Sequence, residues 1–206
     1  MSSCCLCGSL SATTPAPWDQ PFLESDNFVV VPSLGSIVAG WSLIVPRRHF
    51  VAIGALPRPY LPELEHLKLR TTKFLESAFG PCCAFEHGPY EPSRPIGCGV
   101  DHAHLHIVPL PFDLLNTSAA FLPKDIRWSP GDFDSCVQAF DAGADYLYVE
   151  QPIGEGRIAL HSQIPSQAFR RVIATSVGQP DSYDWRSFPQ LPVVQRTLSV
   201  IQRGRT

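Results

Sequence analysis

The sequence has no run of eighteen apolar residues, so it predicts no membrane-spanning helix. Its start, MSSCCLCGSL, lacks a basic region and a long apolar stretch, so we expect no secretory signal and a cytoplasmic location. The chain also lacks internal repeats and any aromatic–basic repeat, which argues against a dedicated nucleic-acid-binding module. Its seven cysteines are an odd and clustered set, which does not suit a disulfide framework.

Proline and glycine are abundant, at 21 and 14 of 206 residues, which indicates many loops and short elements and not a helical bundle. The net charge of −3 is unevenly distributed. From Arg157 onward seven arginines stand against Asp181 and Asp184, a balance of +5, and the first 156 residues carry −8. The basic part is either a solvated surface or one that meets phosphates or an acidic neighbouring subunit.

Alternating strand and helix patterns predict an α+β protein. Strands are expected in FLESDNFVVVP (22–32), WSLIVP (41–46), CCAFEHGP and VDHAHLHIVPL, and a helix from Leu61 to Phe79, ended by Gly80. After a soft boundary near residue 112, DYLYVEQPIGEGRIALHSQ predicts two strands around a glycine-containing turn. PSQAFRRVIATSVG and Pro192 to Gln202 predict two helices. We therefore expect an α+β core in residues 1–112 and an α+β extension in residues 113–206.

The segment DHAHLHIVPL places His102, His104 and His106 at every second position. On a strand these side chains share one face, and the apolar residues between them share the other. Such a row can attack an electrophile with one imidazole while the others orient it, or it can hold a metal. A purely structural row would need polar partners for three buried rings.

These residues resemble the motif of the histidine triad (HIT) family, His-x-His-x-His followed by two apolar residues, with Pro109 where many members carry proline. GWSLIVPRRHF is similar to the family's Gly-x-x-Leu-φ-φ-Pro-basic-x-His strand, where φ is apolar, and the helix and FEHG follow in the expected order. The resemblance covers about residues 4 to 112. It implies a HIT-like catalytic domain in residues 1–112, with an antiparallel sheet and a long helix.

The resemblance also implies a mechanism. His104 would attack the α-phosphorus of a nucleotide derivative, and water or another acceptor would release the nucleoside monophosphate from the covalent nucleotidyl-histidine. The Nδ1 proton of His104 would point to a backbone carbonyl, which leaves Nε2 to attack. His106 would contact phosphate or leaving-group oxygens. The expected substrates are a nucleoside phosphoramidate, a dinucleoside polyphosphate or a nucleotide conjugate.

Further substrate contacts follow from the same resemblance. Cys98, in the GCG loop, is a candidate phosphate contact, and so is His102 if it binds no metal. Ser33 stands approximately where many family members have an aspartate for the ribose hydroxyls, which departs from ordinary purine-nucleoside recognition.

A second resemblance leaves the acceptor open. GCGVDHAH aligns without gaps with the Gly-Cys-Ser-Asn-Pro-His-Pro-His motif of galactose-1-phosphate uridylyltransferases, and FEHG resembles their Phe-Glu-Asn strand. Those enzymes have glutamine in place of the third histidine, whereas this chain keeps His106. Hydrolysis is therefore favoured, with a nucleotidyltransferase or phosphorylase as the alternative.

The pair Cys4-x-x-Cys7 predicts a zinc site only together with the family resemblance, since a structural zinc needs four ligands. Some bacterial histidine triad proteins bind zinc through such a pair, the histidine of the Pro-basic-x-His strand and the first triad histidine. These positions are Cys4, Cys7, His49 and His102. Simple reduced cysteines and a redox pair are the alternatives, and Cys5 is an extra thiol that could compete. No organic cofactor is expected.

Two other functions are open from the sequence. The three histidines could hold a catalytic zinc in a metallohydrolase, with Asp101 and Glu86 as nearby carboxylates, or the chain could be a nucleotide-binding interaction protein. The resemblance implies a homodimer paired across the helix and an edge strand of the core. The extension would then either cap the pocket with arginines or cross to the partner with Trp185 as an anchor.

Overall fold

Among the residues that the structure describes, one eight-stranded antiparallel sheet organises the fold. The computed structural model describes residues 4–97 and 99–204. The strands lie in the spatial order β1-β2-β3-β5-β4-β7-β8-β6. Their bounds are β1 Leu23–Glu24, β2 Phe28–Pro32, β3 Ser42–Pro46, β4 Cys82–Gly88, β5 Leu105–Pro109, β6 Ser129–Pro130, β7 Tyr146–Glu150 and β8 Arg157–Leu160.

In the described part of the chain, six α-helices accompany this sheet. They are α1 Cys5–Ser11, α2 Leu61–Phe79, α3 Leu114–Ser118, α4 Phe133–Asp141, α5 Ala168–Ser176 and α6 Leu191–Arg203. The fold class expected from the sequence, α+β with an antiparallel sheet and a long helix, is confirmed. So is the predicted helix from Leu61 to Phe79, which ends at Gly80 because that residue adopts a φ of 91°.

Two strand predictions are wrong in extent. Residues 22–32 form a hairpin and not one strand, because the chain turns back between β1 and β2 and Ser25 N–H donates to the Phe28 carbonyl at 3.0 Å. The strand expected over residues 100–110 begins only at Leu105. Its neighbour β3 ends at Pro46, which has no N–H, and the Pro46 carbonyl accepts from a His102 ring nitrogen instead of a strand partner.

The sheet separates two apolar layers. Leu105 and Ile107 of β5 face the layer that contains Leu64, Leu67 and the rest of the buried side of α2. Val108 faces the other layer, which includes residues 168–174 of the extension. The alternation predicted from the sequence therefore holds within β5 itself, and it places His106 on the face covered by the extension.

The extension continues the sheet of the core. β7 pairs with β4 over five residue pairs, from Ala84 with Glu150 to Gly88 with Tyr146. The sheet thus runs through the boundary expected near residue 112. A Cβ on Gly88 would lie 2.0 Å from the Tyr146 ring, so the contact requires glycine. β7 and β8 form the predicted pair of strands. Within the described residues no helix is long and apolar enough to cross a membrane.

Candidate functional site

The central strand β5 and the residues just before it carry the three histidines. β5 lies between β3 and β4, where His106 pairs with Leu43 on one side and Phe85 on the other. His102 and His104 precede the strand, and Ala103 N–H between them donates to the Phe50 carbonyl at 2.6 Å. The three rings therefore do not form a regular row on one strand face. Each has its own set of contacts.

His104 is oriented by the backbone of the same segment. Its Nδ1 lies 2.6 Å from the His102 carbonyl oxygen, so Nδ1 donates and Nε2 holds the lone pair. This is the contact that the family resemblance implies. Burial lowers the pKa of His104 to about 4, and the nearby charge of Arg170 also lowers it, against the hydrogen bond to the His102 carbonyl. The imidazole is therefore neutral near pH 7, the form in which Nε2 can attack.

His106 has the opposite tautomer. The Trp41 indole N–H donates to His106 Nδ1 at 2.9 Å, so the ring proton is on Nε2. Phe85 stacks on the same imidazole with ring centroids 4.4 Å apart. Burial, followed by the charges of His104 and His87, lowers the pKa of His106 well below its ordinary value. The ring is a neutral hydrogen-bond donor, and its centroid lies 4.8 Å from that of His104.

His102 belongs to a second group of side chains, the cysteine–histidine cluster formed by Cys4, Cys7, His49 and His102. Their ligand atoms lie within 4.8 Å of one another. His102 Nδ1 is 3.4 Å from both sulfur atoms, and His49 Nδ1 is 3.4 Å from Cys7 Sγ. Since His102 Nε2 donates to the Pro46 carbonyl at 2.9 Å, its Nδ1 lone pair faces the sulfurs.

The cluster has the dimensions of a tetrahedral zinc site. Zinc–sulfur and zinc–nitrogen bonds of normal length at tetrahedral angles put sulfur and nitrogen about 3.5 Å apart. The three 3.4 Å separations match that value. Cys5 lies outside the cluster, although the sequence left it as a competing ligand. The donor set of two cysteines and two histidines therefore fits a closed structural zinc.

His104 and His106 line one pocket, called here the histidine pocket, with a volume of about 130 Å³. That is below the roughly 300 Å³ typical of small-molecule sites. Residues of α1 and of the turn Pro17–Asp19 line the pocket, and so does Ser33, whose hydroxyl donates to the Leu34 carbonyl at 3.3 Å. The residues from α1 and that turn are Cys5, Leu6, Ser9, Trp18 and Asp19.

The extension also lines the pocket, through Arg170 and Trp185. Arg170 is 2% exposed and is held in place by two carbonyls, with Nε donating to Tyr183 at 2.7 Å and Nη2 to Gly35 at 2.6 Å. Its guanidinium also lies 4.8 Å from the Trp41 ring centroid. A Cβ on Gly35, where φ is +76°, would lie 2.5 Å from the Trp185 Cβ, so the close approach depends on glycine.

The other polar residues singled out in the sequence lie elsewhere. Glu86 is on the opposite sheet face, where its carboxylate accepts from Tyr146 OH at 2.5 Å and Ile53 N–H at 2.7 Å. Asp101 accepts from Ser93 N–H at 3.1 Å. His87, the residue after Glu86, is instead on the same face as His106, with ring centroids 6.4 Å apart; it accepts from Phe169 N–H at 3.1 Å, and burial lowers its pKa to about 3. Cys98 lies outside the described residues.

These positions bear on the catalytic-zinc alternative. Neither Glu86 nor Asp101 joins His104 and His106, and in the part of the chain that the structure describes the one metal-type group is the cysteine–histidine cluster. Sequence reasoning missed the positions of two residues, one that hydrogen-bonds to His106 and one that lines the pocket. Trp41 is inside the quoted GWSLIVPRRHF motif but has no role in the resemblance, and Asp19 lies in a proline-rich segment interpreted only as a loop.

No family model matches the sequence, and no curated protein matches it. Solved structures do. A hypothetical histidine triad nucleotide-binding protein from Sulfolobus tokodaii is 18% identical, with 53% of this chain and 71% of that chain covered and a TM-score of 0.42. A zinc-bound histidine triad family protein from Mycobacterium smegmatis is 22% identical, with 68% and 94% covered and a TM-score of 0.42. A uridylyltransferase is 9% identical, with 89% of each chain covered and a TM-score of 0.44.

Proposed function

We propose that the protein is a nucleotidyl hydrolase of the histidine triad type, acting at the α-phosphate of a nucleoside phosphoramidate, dinucleoside polyphosphate or nucleotide conjugate. The observation that carries the proposal is the pair of opposite tautomers. His104 Nδ1 is bonded to a carbonyl and His106 Nδ1 accepts from Trp41, so one ring offers a lone pair and its neighbour an N–H. The reaction needs this combination, because a lone pair must attack the phosphorus while a neighbouring N–H donates to the phosphate oxygens.

The reaction divides into two displacements. His104 Nε2 attacks the α-phosphorus, an N–P bond forms, and the bond to the leaving group breaks with the electron pair. The leaving group takes up a proton from solvent. Water then attacks the same phosphorus and returns one proton to solvent, the N–P bond breaks with its electron pair on Nε2, and nucleoside monophosphate leaves with neutral His104 restored. His106 Nε2–H donates to the phosphate or leaving-group oxygens, and its low pKa keeps it in that single form across neutral pH.

Zinc, where bound, would be held by Cys4, Cys7, His49 and His102. With four protein ligands it would supply a structural crosslink between α1 and the segment that precedes β5. As zinc ligands, Cys4 and Cys7 would then hold Cys5 and Leu6 in place, because Cys5 and Leu6 lie between them in the sequence. Cys5 and Leu6 both line the histidine pocket. The proposed chemistry at His104 requires no metal.

The substrate and the oligomer are also proposals. The protein would bind a nucleotide-type small molecule. Pairing into a homodimer, which the resemblance implies, stays a prediction, but it cannot use the outer edge of β4 because β7 occupies that edge. A dimer would have to form through helices or through the short terminal strands β1 and β6.

Trapping of the intermediate tests the proposal. Candidate substrates radiolabelled at the α-phosphate are acid-quenched with the protein, and the protein-bound label is counted. We expect label on the wild type and none on His104→Ala, whose turnover falls by several orders of magnitude. His66→Ala is the matched control, because that histidine is exposed on α2.

Three results would count against the proposal. Label that persists in His104→Ala would exclude His104 as the nucleophile. Activity that disappears on mild chelation would favour a metallohydrolase. Tight binding of a nucleotide with no turnover of any substrate would favour an interaction protein.

Addition of inorganic phosphate or a sugar phosphate to the labelled enzyme distinguishes transfer from hydrolysis, since a phosphorylase or transferase would pass the label to that acceptor.

A further inference from the structure

Arg170 places a positive charge in the buried part of the histidine pocket. It belongs to α5 of the extension, it lines the pocket, and 2% of the residue is exposed. Removing a guanidinium from water costs free energy, which its contacts must offset. Those contacts lead from the extension to Trp41 and, through Trp41, to His106.

Two hydrogen bonds fix the orientation of this guanidinium. Its Nε donates to the Tyr183 carbonyl at 2.7 Å, and its Nη2 donates to the Gly35 carbonyl at 2.6 Å. Tyr183 ends a short turn of the extension, whereas Gly35 lies between β2 and β3 of the core. The planar group is therefore held from both parts of the chain, with Cζ over the Trp41 ring and 4.8 Å from its centroid.

The Trp41 ring transmits this charge to the reacting pair. Its indole N–H donates to His106 Nδ1 at 2.9 Å, and the His106 ring centroid lies 4.8 Å from that of His104. A cation over an indole draws electron density from the ring, which makes the indole N–H a stronger donor. A stronger bond at Nδ1 draws density from the imidazole in turn, so the N–H at His106 Nε2 becomes a better donor to phosphate oxygens.

The charge also acts on His106 through space. Burial lowers the pKa of His106 most, followed by the charges of His104, His87 and Arg170. A cation beside the ring disfavours a second proton on it, so the imidazole stays in the one neutral form that the Trp41 contact selects.

We propose that Arg170 is a positioning residue of the reaction, which acts through Trp41 to hold and strengthen the N–H that His106 offers to the phosphate. This inference rests on the proposed function. It gives the extension a part in the chemical step in addition to its part in lining the pocket.

A double-mutant cycle on the full chain tests whether Arg170 acts through Trp41. The variants are Arg170→Met, Trp41→Phe and the two together, with kcat and KM measured on a substrate that labels the wild type. Arg170→Met should lower kcat by roughly five- to thirty-fold, the effect of a buried cation–π contact, and should change KM less. In the Trp41→Phe background it should lower kcat no further, because no indole N–H is left to strengthen.

Arg171→Met is the matched control. Arg171 is the next residue of α5, its guanidinium lies 3.7 Å from the Tyr183 ring centroid, and it does not line the histidine pocket. It therefore loses the same kind of contact at a place that does not lead to His106. This variant should keep the wild-type kcat.

The indole N–H of Trp41 gives a readout that does not depend on activity. The chain has four tryptophans, and the Trp41 resonance in a ¹H–¹⁵N spectrum is the one that disappears in Trp41→Phe. In Arg170→Met its proton should move upfield, as expected for a weaker hydrogen bond, and in Arg171→Met it should stay in place. If Arg170→Met does not fold, Arg170→Lys takes its role, because lysine keeps the charge but lacks the planar fork. Arg170→Lys should show a smaller shift in the same direction and a smaller loss of kcat.

Four results would overturn the inference. They are an unchanged Trp41 resonance, an unchanged kcat, losses that multiply in the double variant, and a loss of kcat in Arg171→Met as large as in Arg170→Met. A higher KM with unchanged kcat would mean that Arg170 binds the substrate directly. In each of these cases, label trapped on His104 would still support the proposed function. If no substrate is turned over and no label is trapped, the proposed function fails, and the role of Arg170 fails with it.

Discussion

The indole nitrogen of Trp41 lies 2.9 Å from Nδ1 of His106, and both side chains are buried. Because the indole can only donate, this contact fixes the imidazole proton on Nε2. Arg170 from the extension lies over the Trp41 ring, and Phe85 stacks on the imidazole, so the pair is held from both sides. The N–H donor next to His104 is therefore fixed by a tryptophan that lies 65 residues before His106 in the sequence, immediately before β3.

Trp41→Phe should lower kcat by roughly ten- to hundred-fold, because it removes the buried donor that fixes the His106 tautomer. Substrate affinity should change little, since Trp41 does not line the histidine pocket. Steady-state kinetics measures both quantities. Trp128→Phe is the control, because Trp128 packs on Phe169 and, like Trp41, does not line the histidine pocket. A variant with wild-type kcat would show that the tautomer of His106 does not matter to the reaction.

The purified protein should contain about one zinc per chain by elemental analysis. Cys4→Ser or Cys7→Ser should lose the metal and lower Tm by roughly 5–10 °C, the effect of a few kcal/mol on a chain of this size. Cys5→Ser is the matched control and should keep the metal, because Cys5 lies outside the cysteine–histidine cluster. Zinc that stays bound in both cluster variants, or that is lost in Cys5→Ser, would contradict this ligand set.

Glu86 should make the protein less stable as the pH rises from about 5 to 8. Burial raises the pKa of Glu86 to about 7, against its hydrogen bonds to Tyr146 and Ile53, whereas in the unfolded chain it is near its ordinary 4.5. The folded state holds the proton more tightly, so its stabilising contribution is complete below pH 4.5 and is lost as the pH passes 7. At pH 8 the cost is on the order of 3 kcal/mol.

Glu86→Gln stays neutral and should remove that part of the pH dependence. The measurement is the free energy of unfolding in urea for both proteins between pH 5 and 8, compared as a difference. The difference cancels the opposite contribution of His87, whose lowered pKa makes the fold lose stability as the pH falls below 6.5. Parallel curves for the two proteins would mean that Glu86 does not titrate in this range.

Trp185→Ala should raise KM by about ten-fold and change the ranking of substrates, because it removes an aromatic wall of the histidine pocket. The chemical step at His104 should be affected less, as Trp185 contributes no group to it. Phe188→Ala is the control, since Phe188 is 40% exposed and does not line the pocket. An unchanged substrate ranking would indicate that the extension supports the pocket without contacting the substrate.

Local patterns predicted the parts of the fold that depend on neighbouring residues. The spacing of Leu64, Leu67 and Leu75 predicted α2, and the glycine-containing turn predicted the hairpin of β7 and β8. The motif-based resemblance named four side chains that the fold brings within 4.8 Å of one another. The turn between β1 and β2 was missed because the strand-forming residues on both sides outweighed Ser25 to Asn27.

Contacts between distant parts of the chain were beyond local patterns. A tryptophan at the start of a predicted strand has many equally good partners, so nothing in the sequence indicated that Trp41 would contact His106. Asp19 was interpreted only by the composition of its loop, which does not say where the turn will lie. The pairing of β4 with β7 was missed for the same reason, because antiparallel partners far apart in sequence leave no local signal.

The pairing of β4 with β7 also sets an order of events during synthesis. β3, β4 and β5 are complete once the ribosome has passed Pro109, but the partner of β4 is not made until Glu150. In the interval the nascent chain presents Cys82–Gly88, all of it buried in the finished protein, as an open edge of unpaired amides and carbonyls. A chain stopped at residue 112 would keep that edge, and it would be prone to aggregate with its own copies before it could be assayed.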